Sequence, residues 1–290
     1  HEHEKHCIMN VLVIGAKGQL GRELCRVFSK EARVTGADLP ELDVADAESV
    51  AALVMRHAPA LVINAAGYTD VEGAEDDPDG AFAVNETGVH NVAAAAAEAG
   101  APVVYYSTDF VFFGAQDDLI EPDESPMPRG VYSRSKATGE SATCTANPKH
   151  FVVRTAWLYG PGGNNFVEKI LRAAETQPEL KVVQDEVGSP TYTLDVAEAT
   201  RALCQTGAYG VYHAVNRGQC SRYEFACEIL RLAGVTTPVT PCTMAEYPMK
   251  APRPHFSVLS NAKLEETCGH IMRPWQEALA QYMQRRIQHT

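Results

Sequence analysis

The sequence predicts an α/β chain, a doubly wound parallel sheet with a smaller, mainly C-terminal α/β part. Two observations carry this. Val11 to Gly15 (VLVIG) is a short run rich in β-branched residues that opens into a glycine loop and then the helical pattern Leu20, Leu24, Val27, Phe28. Further short apolar strands alternate with helical stretches along the first half of the chain. Parallel strands need long crossovers, and helices supply them.

In order, strands are expected near Val34, at Leu61 to Asn64, at Val103 to Ser107 and at Phe151 to Thr155, with helices over about 46–57, 78–99 and 132–144. Beyond residue 160 the pattern predicts a helix near 165–175, a strand at Lys181 to Val183, a helix near 193–204, a strand at Val211 to Ala214 and a helix over about 222–233. Pro238 to Arg253 reads as proline-rich loop, and a last amphipathic helix starts near Pro274. Residues 9–160 form the first domain and 161–290 the second, interleaved, with 193–207 packing back onto the first. Residues 1–8 (HEHEKHCI) read as a tag or extension, and no metal site is read into their histidines.

A 290-residue chain that is 45% hydrophobic and 21% charged has the composition of a globular protein with a sizeable core. It has no apolar run long enough for a membrane span and no secretory pattern, so a cytoplasmic protein without a membrane partner is expected. Residues 1–120 hold 7 Lys and Arg against 20 Asp and Glu, a net −13, while residues 121–290 hold 18 against 17, a net +1. An acidic chain without a basic stripe is a poor nucleic-acid binder. The eight cysteines show no C-x-x-C and no zinc-finger spacing, and read as reduced thiols filling the core.

Gly15, Gly18 and Gly21 stand in GAKGQLG at the first strand-to-helix turn, where missing side chains let backbone N–H groups and the helix N-terminus approach a pyrophosphate. Gln19 and Leu20 belong to the same candidate dinucleotide contact. Asp38 follows Gly15 by 23 positions, close to the roughly 20-residue offset of an acid that binds ribose hydroxyls. It favours NADH over NADPH, since no arginine stands beside it in ADLPELD; the other reading is a turn before Pro40. Asp43 either faces the adenine or caps the helix that begins near Asp46. Tyr132 and Lys136 share one helix face at i, i+4, and Thr108 sits at the carboxyl edge of the fourth strand, where ligands sit in such sheets. For Thr108 a local turn hydrogen bond is the alternative.

These segments, with NAAGYTDVEGAE at 64–75, VN at 84–85, STDFVFFG at 107–114, YSRSK at 132–136, RTAWLYG at 154–160, NNF at 164–166 and GSPTY at 188–192, resemble the dTDP-4-dehydrorhamnose reductase family of the extended short-chain dehydrogenase/reductase superfamily. The resemblance spans residues 9 to about 286. It implies a Rossmann-like cofactor domain and a C-terminal nucleotide-sugar domain. It assigns Thr108, Tyr132 and Lys136 as the catalytic triad, NADH or NADPH as cofactor and a dTDP-sugar as substrate, with a possible homodimer. The implied reaction takes the C4 ketone of dTDP-4-dehydro-6-deoxy-L-mannose to dTDP-L-rhamnose, with Tyr132 as acid, Thr108 on the carbonyl oxygen and Lys136 on the nicotinamide ribose.

The resemblance also places Asn64, Ala65 and Ala66 where the cofactor passes, and Thr69 and Asp70 near the sugar. Asn64 could instead satisfy a loop backbone, and Thr69 and Asp70 could form a solvated turn. Trp157 and Asn165 line the sugar site on this reading, with plain packing the alternative for Trp157. Arg253 is the choice for a pyrophosphate cation, against an exposed loop charge. Two departures bear on the substrate: Phe110 stands where the family has tyrosine, and Val258 stands where it has arginine. They keep open a 4-ketoreductase of another nucleotide deoxysugar. A non-catalytic regulatory subunit, like the β subunit of methionine adenosyltransferase, is the reading from a different class.

Overall fold

A computed structural model describes residues 9–114 and 117–288, so the reading of residues 1–8 as a tag lies outside the described residues. The chain runs β1 (Asn10–Ile14), α1 (Gln19–Phe28), β2 (Arg33–Ala37), α2 (Ala47–His57), β3 (Leu61–Asn64), α3 (Val71–Asp76), α4 (Pro78–Phe82), α5 (Val89–Glu98), β4 (Val103–Thr108), α6 (Val131–Ala146) and β5 (His150–Thr155). Beyond these come β6 (Leu158–Tyr159), α7 (Phe166–Thr176), β7 (Leu180–Val183), β8 (Val187–Gly188), β9 (Thr191–Tyr192), α8 (Thr193–Cys204) and β10 (Gly210–His213). The last part holds β11 (Cys220–Ser221), α9 (Arg222–Ala233), β12 (Val239–Cys242), α10 (Ala262–Cys268) and α11 (Trp275–Gln288). Among the described residues no helix is long and apolar enough to cross a membrane.

The central sheet has the order β10-β5-β4-β3-β1-β2 with every pair parallel. From β1 the chain steps outward to β2, then crosses to β3 on the other side, so the winding direction reverses at β1. That reversal opens a crevice at the carboxyl ends of β1 and β3, where Ile14 lies level with Asn64. Both faces of the sheet are covered. Val11 and Val13 pack with Leu20 and Leu24 of α1 and with Val196, Ala199 and Leu203 of α8. Leu12 and Ile14 pack on the opposite face with Val50 and Val54 of α2 and Val92 and Ala96 of α5. Burial on both sides explains why these strands read as unbroken apolar runs rather than alternating ones. A second core gathers Trp157, Tyr159, Ile170, Tyr192, Phe225, Ile229, Leu279 and Tyr282 from the later elements.

Three expectations change. The helix expected over 78–99 is broken into α4 and α5 by a π-helical turn at Ala83–Gly88, which carries the fully buried Asn85. The stretch read as loop from Pro238 contains β12, which pairs in parallel with β7. Pro241 is tolerated there because a two-stranded edge leaves one side of the strand without a ladder. The cap of α2 is Asp46, which accepts from the Glu48 and Ser49 N–H groups, and not Asp43.

The helix α6 is fixed to the sheet by a buried ion pair. Arg154 on β5 donates to both carboxylate oxygens of Glu140 at 2.9 and 2.8 Å, and to the Pro122 carbonyl at 3.0 Å. Such a pair contributes little against an apolar replacement of both residues, but removing one partner strands the other charge. Glu140→Ala is therefore expected to lower unfolding stability by about 3 kcal/mol or more in chemical denaturation. A loss under about 1 kcal/mol would mean that the pair does not hold α6.

Candidate active site

At the crevice the backbone leaves no room for side chains. Gly15 follows β1 with φ of +79°, and a Cβ there would collide with the backbone of Ala65 and Ala66. A Cβ on Gly21 would collide with the Gly15 carbonyl, so α1 presses against the loop. Gly18 caps α1 without a side chain, leaving its first N–H groups free of a side-chain acceptor. This is an anion cradle of peptide dipoles, and it fits the diphosphate of a dinucleotide. Of the two helix residues read as cofactor contacts, Leu20 has its side chain buried in the sheet core, which leaves its backbone for the cradle. Gln19 extends to the later half of the chain, donating to the Leu158 carbonyl at 3.4 Å and accepting from Asn165 at 3.3 Å.

At the end of β2, Asp38 braces the glycine loop: its carboxylate accepts from the Lys17 N–H at 2.7 Å and from the Leu39 N–H at 2.8 Å. The sequence offers no cation beside Asp38, but the fold supplies one. The Lys17 ammonium lies 2.7 Å from the Leu39 carbonyl and 2.9 Å from Glu41. Asp43 is exposed and accepts from the Ala45 N–H at 2.9 Å. Asn64 is buried, and its side chain accepts from the Ala66 N–H at 3.1 Å, so it shapes the loop that carries Ala65 and Ala66. Thr69 and Asp70 are exposed, and Asp70 caps α3 through the Gly73 N–H at 2.9 Å. Asn85 ties this loop to α6, bonding both the N–H and the carbonyl of Tyr68 and reaching Ser135 at 3.0 Å.

Thr108, Tyr132 and Lys136 meet at the carboxyl end of β4. Lys136 is 6% exposed, and its ammonium donates to the Tyr106 carbonyl at 2.6 Å and lies 4.5 Å from the centre of the Tyr105 ring. Burial disfavours the charge and lowers its pKa to about 8, with Glu140 opposing that shift. The Thr108 hydroxyl lies close to the half-buried Tyr132. Burial pushes the phenol up to about 12, the Thr108 hydroxyl works against this, and the nearby Asp109 adds to it. Asp109, buried beside Thr108, is raised to about 6, mainly by burial. The neighbouring Ser107 hydroxyl is buried with no hydrogen-bond partner among the described residues.

The later residues close the site. Trp157 has φ of +47°, a strained value for a bulky side chain, and the Arg222 guanidinium lies 3.5 Å from its ring centre. Its buried indole N–H has no partner among the described residues, so Trp157 packs and also keeps a donor. The Asn165 side chain caps α7 through Glu168 and donates to Gln19 and to the Gly160 carbonyl. It thus also ties the second part of the chain to the glycine loop. Arg253 is half-buried, donates to Glu72 at 3.0 Å and sits 5.7 Å from the centre of the Phe110 ring. Phe110 in turn meets Tyr132 edge-on at 5.9 Å. Val258 is buried, and the adjacent Ser257 bonds Asp109.

Lys17, Asn85, Asp109, Arg222 and Ser257 were missed from the sequence. Asp109 and Asn85 stand inside recognisable segments, STDF and VN, and could have been found there. The rest have no local signal.

A family model described as RmlD substrate binding domain matches residues 9–287. The chain is 41% identical over 277 residues to the spore coat polysaccharide biosynthesis protein SpsK of Bacillus subtilis (strain 168), covering 95% of this chain and 97% of that protein. It is 40% identical over 278 residues to the dTDP-4-dehydrorhamnose reductase of Mycobacterium tuberculosis (strain ATCC 25618 / H37Rv), covering 93% and 91%. A crystal structure of dTDP-4-dehydrorhamnose reductase from Bacillus anthracis str. Ames in complex with NADP matches with a TM-score of 0.93 at 36% identity, covering 96% of this chain and 99% of that one. The glycine cradle and the residues at the end of β4 thus lie within a likeness that runs almost the whole length of the chain, and the chain belongs to the dTDP-4-dehydrorhamnose reductase family.

Proposed function

We propose that this chain reduces the C4 ketone of dTDP-4-dehydro-6-deoxy-L-mannose to dTDP-L-rhamnose with NADH or NADPH, in the cytoplasm, as the last step in making this activated sugar. The observation that carries the reading is the meeting of the buried Thr108 and Lys136 with the half-buried Tyr132 at the carboxyl end of β4. When bound, the dihydronicotinamide supplies a hydride to the ketone carbon. Negative charge then grows on the ketone oxygen, and this chain must provide a proton and hydrogen bonds there. Tyr132 is the proton donor: its raised pKa keeps the phenol protonated at neutral pH. Thr108 hydrogen-bonds the same oxygen. Lys136 holds the nicotinamide ribose and, as a buried cation, stabilises the phenolate left on Tyr132. The cradle at Gly15 to Gly21 takes the diphosphate. The direct test is loss of nicotinamide absorbance on adding the dTDP-4-keto sugar, with 4-keto sugars of other configuration as comparison because Phe110 and Val258 depart from the family.

Tyr132→Phe keeps the ring and removes the proton, so turnover is expected to fall about a hundredfold or more with cofactor affinity near wild type. Turnover close to wild type would exclude Tyr132 as the acid.

For Lys136 the charged form prevails below its lowered pKa of about 8 and is lost above it. Cofactor affinity is therefore expected to weaken as pH rises from 7 to 9 in wild type, and to be weaker but flat with pH in Lys136→Met. Fluorescence titration of the bound dihydronicotinamide measures this, and parallel pH profiles for the two proteins would remove the ribose role.

Because the Asp38 carboxylate and the Lys17 ammonium share the end of β2, both cofactors are expected to bind. Asp38→Ala should shift the affinity ratio toward NADPH and Lys17→Met toward NADH, each by about tenfold, equal to about 1.4 kcal/mol. A ratio unmoved by either substitution would make both residues loop braces only.

A further inference from the structure

Thr108 has one hydroxyl proton, and it is already committed. Its Oγ1 donates to the Asp109 carboxylate at 3.1 Å and accepts the Phe110 N–H at 3.2 Å. In this arrangement the Thr108 hydroxyl offers no proton to a ketone oxygen. What commits it is Asp109, which is 1% exposed and is held from its other side by the Ser257 hydroxyl at 2.5 Å. A carboxylate can only accept, so while it is ionised it draws both neighbouring hydroxyl protons toward itself.

A neutral Asp109 reverses the chain. It takes up one proton from solvent on Oδ1 and donates it to the Thr108 oxygen, while Oδ2 goes on accepting from Ser257. The Thr108 proton is then released toward the ketone. No other bond changes. We propose that Asp109 is a positioning residue: as a neutral acid it turns the Thr108 hydroxyl toward the substrate carbonyl, and as a carboxylate it turns that hydroxyl away. This deepens the ketone-reductase reading and rests on it.

The surroundings favour a neutral form within reach of ordinary pH. Burial is the largest influence and moves the carboxyl to about 6, with the Ser257 bond, Arg222 on α9 and the Thr108 bond favouring ionisation and Glu186, between β7 and β8, opposing it. Arg222 and Glu186 are themselves paired at 2.9 Å, so their fields at Asp109 partly cancel. Tyr132 on α6, a further titratable neighbour, is neutral across this range.

The test is the pH dependence of kcat from pH 5 to 8 for wild type, Asp109→Asn and Ser257→Ala, with NADPH and the dTDP-4-keto sugar. Wild type should lose turnover by about tenfold per pH unit above the Asp109 pKa. In Asp109→Asn the amide nitrogen donates to Thr108 at every pH while its oxygen accepts from Ser257, so that falling limb should vanish. In Ser257→Ala the carboxylate loses a donor, so the limb should move to higher pH. Cofactor affinity, titrated without sugar, should stay within about twofold of wild type in both variants, which separates the effect from misfolding. A limb that persists in Asp109→Asn, or does not move in Ser257→Ala, overturns the proposal while leaving the reductase reading intact. A wild type that reduces no nucleotide-sugar ketone overturns the reductase reading and this inference with it.

Discussion

Lys136 carries an ammonium that is costly to bury, and the elements around it hold it in one place. Its one short hydrogen bond goes to the Tyr106 carbonyl on β4, and the Tyr105 ring lies against it. For those contacts to persist, α6 must stay at a fixed height over the sheet. Three ties hold it there: the Tyr105 hydroxyl on the Lys136 carbonyl, the Asn85 amide on Ser135, and the Glu140 to Arg154 pair at the far end. None of these groups need touch a substrate. Together they place the Tyr132 phenol one helical turn from the ammonium and against Thr108, so the packing of one helix determines the chemistry at its start.

The cofactor cradle obeys a second constraint, the steric one at the winding reversal. Where β1 and β3 end side by side, the loop after β3 runs so close to Gly15 that no other residue fits. The same closeness carries information between the two halves of the site. Asn64 and Asn85 fix the loop from below, Asp38 fixes the glycine loop from the side, and the later half closes over it through Asn165 and Gln19. Backbone donors and braced loops thus cradle an anion in the half of the chain that is strongly acidic overall. The later part, near neutral, supplies Arg222 and Arg253 around the aromatic wall of Trp157 and Phe110.

Much of this was legible in the sequence because it is local. The glycine loop lies between an apolar strand and an amphipathic helix, and the Tyr132 to Lys136 spacing needs only helical geometry. What could not be read depends on approach across long separations. Ser257 meets Asp109 from 148 positions away, and the Lys17 side chain closes on Leu39 and Glu41 only when β2 lies beside the glycine loop. The VN segment marks Asn85, but a helical pattern does not reveal that one turn widens to bury its amide. Pro241 reads as a breaker in sequence, yet an edge strand can hold it. The helix caps made by Asp70 and Asn165 likewise appear only once α3 and α7 are in place.

On the proposed reading, the residues at the end of β4 supply the proton and the bound dihydronicotinamide supplies the hydride to the C4 ketone of a dTDP-deoxysugar. The most direct measurement is to supply dTDP-4-dehydro-6-deoxy-L-mannose with dihydronicotinamide cofactor deuterated at the transferring position, and to read the product by NMR. Deuterium on C4 of dTDP-L-rhamnose in wild type, with product formation strongly reduced in Tyr132→Phe, is the expected result. Recovery of the unchanged ketone from wild type, or deuterium at any other carbon, would contradict it.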